Sequence, residues 1–306
     1  LRILPFARSG RPLLAKPDPG RREMPDLSGA WAPWARSVDR APDAETLVER
    51  IVGAAHAALA RVTAAPPDRS AVGDVLAQHT DGGPLDTDEA LAAMRRSVAV
   101  AIGDAPLDVE WALGEAWRAL YPALVRRVSF GGIGTEERTA FDRLARGMER
   151  LAFGPPAATQ ERLLALVDSG VLDLRFLGGA ALEPSSDGPV LVRGGDSAHP
   201  DLLIDAVTPA PGVDGGSDLF GPLLERGVVC TAPGTTGLLV NTAGGVLAPD
   251  GRRVPGLSVI GRATEGWVLG LDTLSRTLHP TAERWALGVL EALRARPESA
   301  VWAARE

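Results

Sequence analysis

The chain changes its apolar period near residue 170, and that change restricts the fold more than any single motif does. From about residue 42 to 170, apolar residues recur at helical spacing. APDAETLVERIVGAAHAALARV puts Leu47, Ile51, Ala54 and Leu59 on one face, with Asp43 placed to cap the start. DTDEALAAMRRSVAVAIGD, LDVEWALGEAWRALYPALVRRVSF and GTEERTAFDRLARGMERLAFG continue at the same period, and PAATQERLLALVDSG closes on Gly170 as a C-terminal cap. Beyond it come strand-length runs cut by Gly, Pro, Asp and Ser: VLDLRFLGG, DLLIDAVTPAPG, GVVCTAP, GLLVNTAGGVLAPDGRRVPG and LSVIG. TAERWALGVLEALRARPE then returns to helical spacing. Amphipathic helices must bury their apolar stripe against something. The pattern predicts an α/β fold with an inserted helical domain. Its parts are a strand and loop over 1–40, a helical domain over 41–170, and a mixed strand region with a terminal helix over 171–306.

Several function classes are excluded early. A formal net charge of -7 is the wrong sign for a nucleic-acid partner. The apolar runs are strand-length, so no membrane span is expected. The opening residues do not read as a secretory leader, and the single cysteine, Cys230, cannot form an internal disulfide. A cytoplasmic protein is the expectation. No His/Cys/Asp/Glu group has metal-ligand spacing, so no metal is expected. His56 and His79 fall in or near helices, and His199 precedes Pro200 in a turn. The stretch 234–237 carries no nucleophile elbow.

The most informative segment is VPGLSVIGRATEGWVLGLDTLSRTLHPTAERWA. An apolar strand over 257–260 ends in Gly261, and Gly266 precedes a helical pattern. Glycines at a strand end let backbone approach a ligand, and a helix start offers free N–H groups. An ordinary strand–turn–helix connection has the same pattern. Asp272, Arg276 and His279 stand at i, i+4 and i+7, the spacing of one helical face. That face is either solvated or a catalytic cluster beside a cofactor.

VPGLSVIGRATEG resembles the closing motif of FAD/NAD(P)-binding oxidoreductases of the glutathione-reductase type. In that family a strand is followed by a helix whose N-terminus faces the flavin. Arg262 stands where the family carries an Asp for the ribityl chain. DLLIDAVTPAPGVDG is similar to the crossover of the same superfamily, with Asp205, Ala206, Thr208 and Pro209 in the corresponding places. The helical zone is similar to a poorly characterised bacterial branch of FAD-NAD(P)-binding proteins, without histidine in the stretch 146–150. The opening LRILPFARSGRPLLAKPDPG looks like the strand and loop that follow the family's second glycine-rich segment, and it holds Lys16, the one lysine.

The resemblance implies a Rossmann-like FAD/NAD(P)-binding sheet, incomplete in this chain, with FAD and NAD(P)H as cofactors and a small molecule as substrate. It implies cofactor binding by Gly261, Arg262, Thr264, Glu265, Gly266, Trp267 and Lys16. Trp267 either packs in the core or caps the ring. No GxGxxG follows a strand, so the pyrophosphate-cradling turn of such a fold is absent. FGGIGTEE contains Gly131, Gly132 and Gly134 but follows a helical pattern. The expected partner is therefore an N-terminal half carrying that turn, with the strand over 1–6 pairing to it. A homo-oligomer stays open. The rival reading is a non-catalytic subunit of the same fold that has lost FAD, favoured by Arg262 and the missing turn.

Overall fold

The computed structural model describes residues 1–7, 9–186, 188–206, 211–213, 219–270 and 278–294. Their architecture is mixed α/β. Helices α1 (Ala32–Val38), α2 (Ala44–Val62), α3 (Arg69–Thr80), α4 (Thr87–Ile102), α5 (Val109–Val128), α6 (Thr135–Ala152) and α7 (Ala157–Asp168) precede five short strands. Strands β1 (Ala181–Glu183), β2 (Val190–Arg193) and β3 (Asp196–Ala198) form one antiparallel sheet. Helix α8 (Gly221–Glu225) leads to β4 (Gly245–Leu247) and β5 (Arg253–Ser258), also antiparallel, and α9 (Thr281–Arg294) follows. None of the described helices is long and apolar enough to cross a membrane.

The chain divides into two interleaved compact units. The first comprises Leu1–Val38, Glu45–Tyr121 and Ala140–Val207; the second comprises Asp39–Ala44, Pro122–Thr139 and Thr208–Glu306. One boundary falls at Pro122, inside α5, where the ring removes a backbone donor.

The first unit is built on helix faces. Leu47, Ile51, Ala54 and Leu59 of α2 are buried, as their spacing predicts. Trp117 of α5 is fully buried and stacks on Phe141 of α6 at 6.3 Å between centroids, while Tyr121 meets Phe153 edge-on at 5.4 Å. Met94 and Val98 of α4 pack with Leu164 of α7, Leu172 and Leu174. Asp86 and Glu89 form a reciprocal capping box at the start of α4, and Gly103 closes it with φ 97°. Gly170 follows α7 with φ 71°, in keeping with its expected capping place.

Residues 1–7 pair with residues 171–178 through two isolated parallel bridges, Ile3 with Leu172 and Ala7 with Gly178. One edge of this run is thus satisfied inside its own unit. VLDLRFLGG, expected as a strand, instead winds into a 3-10 turn over Leu174–Phe176, because the Asp173 carboxylate accepts from the Arg175 N–H.

The second unit has a smaller core of Val213, Val229, Leu238, Val240, Val246 and Val268. Its backbone is held by turns more than by ladders. The expected strand over 257–260 is displaced to β5, pairing with β4 across a register shift. Helix α9 leaves Trp285, Leu287, Leu290 and Leu293 exposed.

Candidate functional site

Where α5 ends, the chain makes a glycine-rich turn before α6, and the second unit is organised around it. Phe130 adopts φ 57°, the only left-handed non-glycine residue described, at a cost of roughly 1–2 kcal/mol. Its N–H donates to the Trp267 carbonyl at 2.9 Å, and the Leu269 N–H donates to Ser129 Oγ at 3.0 Å. The Arg127 guanidinium donates to the carbonyls of Ala41 (2.5 Å), Pro42 (3.0 Å) and Gly132. A Cβ on Gly132 would lie 1.8 Å from the Arg127 carbonyl oxygen, so only glycine fits there.

This turn and the start of α6 form one wall of a cavity of about 250 Å³. Gly131, Gly134, Thr135 and Arg138 line that wall; Thr235 and Trp267 line the other. Arg138 is only 6% exposed and brings a cation to the lining. Thr135 and the first turn of α6 bring the positive end of the helix. The Trp267 ring packs against the valine-rich core and against Gly131, and its Nε1 donates to the Val240 carbonyl at 2.8 Å. It therefore packs in the core and lines the cavity at once. Gly266, φ 94°, sits against Thr235.

The expected cofactor segment is accordingly split by its own geometry. Gly261 has φ 105° and ψ -153°, a region open essentially to glycine alone. A Cβ there would meet nothing within 4 Å, so the backbone conformation and not a close neighbour demands the glycine. The hydroxyl of the fully buried Thr264 donates to the Gly261 carbonyl at 2.8 Å. That bond closes the turn. Glu265 Oε1 accepts from the Gly270 N–H at 3.3 Å, and Arg262 is exposed. Of the seven expected cofactor residues, only Trp267 lines the cavity, with Gly266 beside it. Lys16 belongs to the first unit, where its backbone N–H donates to the Pro155 carbonyl and its side chain is exposed.

Asp272 and Arg276 of the expected catalytic face lie outside the described residues, as do Thr208 and Pro209. His279 stands in the non-helical link before α9, which begins at Thr281. Its Nε2–H donates to the Leu269 carbonyl at 2.5 Å. Burial holds this imidazole below its usual range, with the carbonyl opposing. It thus sits as a neutral, anchored ring.

The first unit has its own polar cluster. His79 Nε2 meets Glu110 Oε1 at 2.9 Å, and Arg96 approaches the other oxygen at 3.6 Å. Burial pushes the Glu110 carboxyl up, but the His79 bond and charge together with Arg96 bring it below the ordinary range. Asp108 is raised, chiefly by burial, although it accepts from the Trp111 N–H. The cavity beside them is about 20 Å³, the size of a single water, and the buried Trp111 Nε1–H lacks a protein acceptor there. No group of three or more metal-ligating side chains occurs among the described residues.

No protein-family model matches the chain, and no curated protein is similar to it.

The sequence signal missed Arg138 and Thr235. FGGIGTEE was legible as a glycine cluster, but nothing local tied it to Trp267, some 130 residues on.

Proposed function

We propose that the chain is part of a flavin-dependent, NAD(P)H-linked oxidoreductase acting on a small molecule, with the cavity at Trp267 as its flavin-facing pocket. The observation that carries this reading is the convergence of Trp267, the Gly131–Gly134 turn and the buried Arg138 on one space. Ligand pockets of about 300–1,000 Å³ take whole drug-sized molecules. About 250 Å³ therefore suits one ring system and not an entire dinucleotide. Backbone at Gly131 and Gly134 and the flat indole of Trp267 fit a planar ring. Arg138 and the start of α6 fit negative charge on its edge.

FAD, when bound, supplies the electron and hydride transfer, and the protein supplies binding, orientation and electrostatics. Trp267 and the glycine turn would hold the ring, while Arg138 would favour its anionic form. The fold in this reading is a Rossmann-like sheet completed by a polypeptide bearing the glycine-rich dinucleotide turn. The two parallel bridges at Ile3 and Ala7 support it, because parallel pairs are normally covered on both faces. So do the exposed Leu202, Leu203 and Ile204 and the apolar residues of α9. The exposed Arg262, in the place of a ribityl-binding Asp, favours a second reading, a non-catalytic subunit of this fold that has lost FAD.

The test is a titration of the protein with FAD and with riboflavin, followed by flavin fluorescence. Gly134→Phe directs a ring into the cavity from a position where a Cβ meets nothing within 4 Å. Flavin affinity should fall about tenfold or more in this variant. Unchanged affinity in folded Gly134→Phe would rule out this pocket, and no flavin binding by the parent protein would leave the non-catalytic reading.

A further inference from the structure

The geometry points to a second site, in the first unit, where Arg11, Arg146 and Arg150 bind the phosphate group of a small molecule. Arg146 and Arg150 are one turn apart on α6, a spacing at which like charges repel and weaken a helix. Arg11 arrives from the N-terminal loop. Two of the three are fixed on the last turn of α3 and the loop that follows it. Arg150 Nη2 donates to the His79 carbonyl at 2.5 Å, and Arg11 Nε donates to the Gly83 carbonyl at 3.0 Å. Gly82 permits this: a Cβ there would lie 2.3 Å from Arg11 Nη2. The guanidinium groups are thereby oriented without being neutralised.

Among the described residues, one donor of the cluster lacks an acceptor, and one cation of it lacks a partner. Arg150 Nε is buried and bonds to nothing among the described residues. Arg146 is exposed and forms no hydrogen bond or ion pair among them. Asp81 is engaged by Arg143 at 3.1 Å and by the Thr80 hydroxyl at 2.8 Å. The Arg150 guanidinium is depressed first by burial, then by Arg11 and Arg146, and Glu149 opposes them less than either does. Three cations therefore lie close enough to feel one another, and Arg146 is exposed without a partner among the described residues.

Guanidinium forks match tetrahedral oxyanions bidentately and bind them more strongly than single charges do. A phosphate group fits that arrangement. The overall net charge of -7 speaks against an extended polyanion and for a small one. This site rests on unit-one residues alone and stands apart from the flavin reading.

The experiment titrates the protein with inorganic phosphate and with phenyl phosphate, using acetate as a monoanion control, by calorimetry at low and raised chloride. Saturable phosphate binding, weakened by salt and absent for acetate, is the expected result. Tighter binding of phenyl phosphate identifies an organic phosphate as the ligand, and equal binding identifies the phosphate group alone; either order supports the site. Arg146→Ala, at an exposed position of α6, should weaken binding by about tenfold, and Arg150→Lys should weaken it while keeping the charge. The proposal is overturned if neither phosphate saturates at millimolar concentration, or if folded Arg146→Ala binds as the parent does.

Discussion

The two units hold themselves together by different means. The first buries helix faces: the Trp117–Phe141 stack, the apolar row of α2, and Met94 and Val98 against Leu164. The second ties turns to one another through single backbone bonds, such as Phe130 to Trp267, and through glycines that admit a carbonyl where a side chain would stand. Apolar burial is distributed and tolerant, since each contact is small and many share the load. Turn lattices concentrate their specificity in a few positions. The difference also assigns roles. The cavity of about 250 Å³ lies in the lattice, where backbone and isolated polar groups line it, and the one beside Asp108 and Trp111 among the helices is about 20 Å³.

The sharpest way to break this comparison is in the first core. Trp117→Ala should cost about 3–5 kcal/mol in urea unfolding, as for other large buried aromatics. A loss under about 1 kcal/mol would mean that the helix faces do not carry the unit. Next come two glycines of the second unit, which separate steric need from conformational need. Gly132→Ala forces a methyl group onto the Arg127 carbonyl and should cost about 1–3 kcal/mol by overpacking. Gly261→Ala meets open space but must hold φ 105°, so roughly 1 kcal/mol of backbone strain is expected instead. A cost at Gly261 larger than that at Gly132 would reverse that distinction.

A smaller difference between the units is expected with pH. His279 is depressed by burial below its ordinary 6.5, so the unfolded chain takes up its proton more readily. Its contribution is present above that value and lost as pH falls through the depressed one. Glu110 is also depressed, from 4.5, and its contribution persists until pH drops below the carboxylate range. Asp108, raised by burial, adds stability only on the acid side and loses it as pH rises. Lowering pH from 7 to about 5.5 should therefore reduce amide-exchange protection near Leu269 while leaving α5 near Glu110 unchanged. His279→Gln should abolish the change near Leu269. Loss of protection at α5 first would reverse the assignment.

The sequence by itself determined the helices of residues 42–170, the face presented by Leu47, Ile51, Ala54 and Leu59, and the turn at Gly170. These follow from local period and local backbone preference, which adjacent residues carry. The capping box of Asp86 and Glu89, which the structure adds, is equally local. Tertiary structure alone decided the rest. It moved the last strand from 257–260 to Arg253–Ser258, because β4 fixed the register. It turned VLDLRFLGG into a capped 3-10 turn. It brought Arg138 to Trp267, and Arg11 to Arg146 and Arg150, from far along the chain, and Thr235 to Trp267 from a separate turn. Such meetings leave no periodic trace in sequence. They depend on which backbones can approach, and at Gly132 and Gly82 that approach was settled by a missing side chain whose neighbour only the fold supplies.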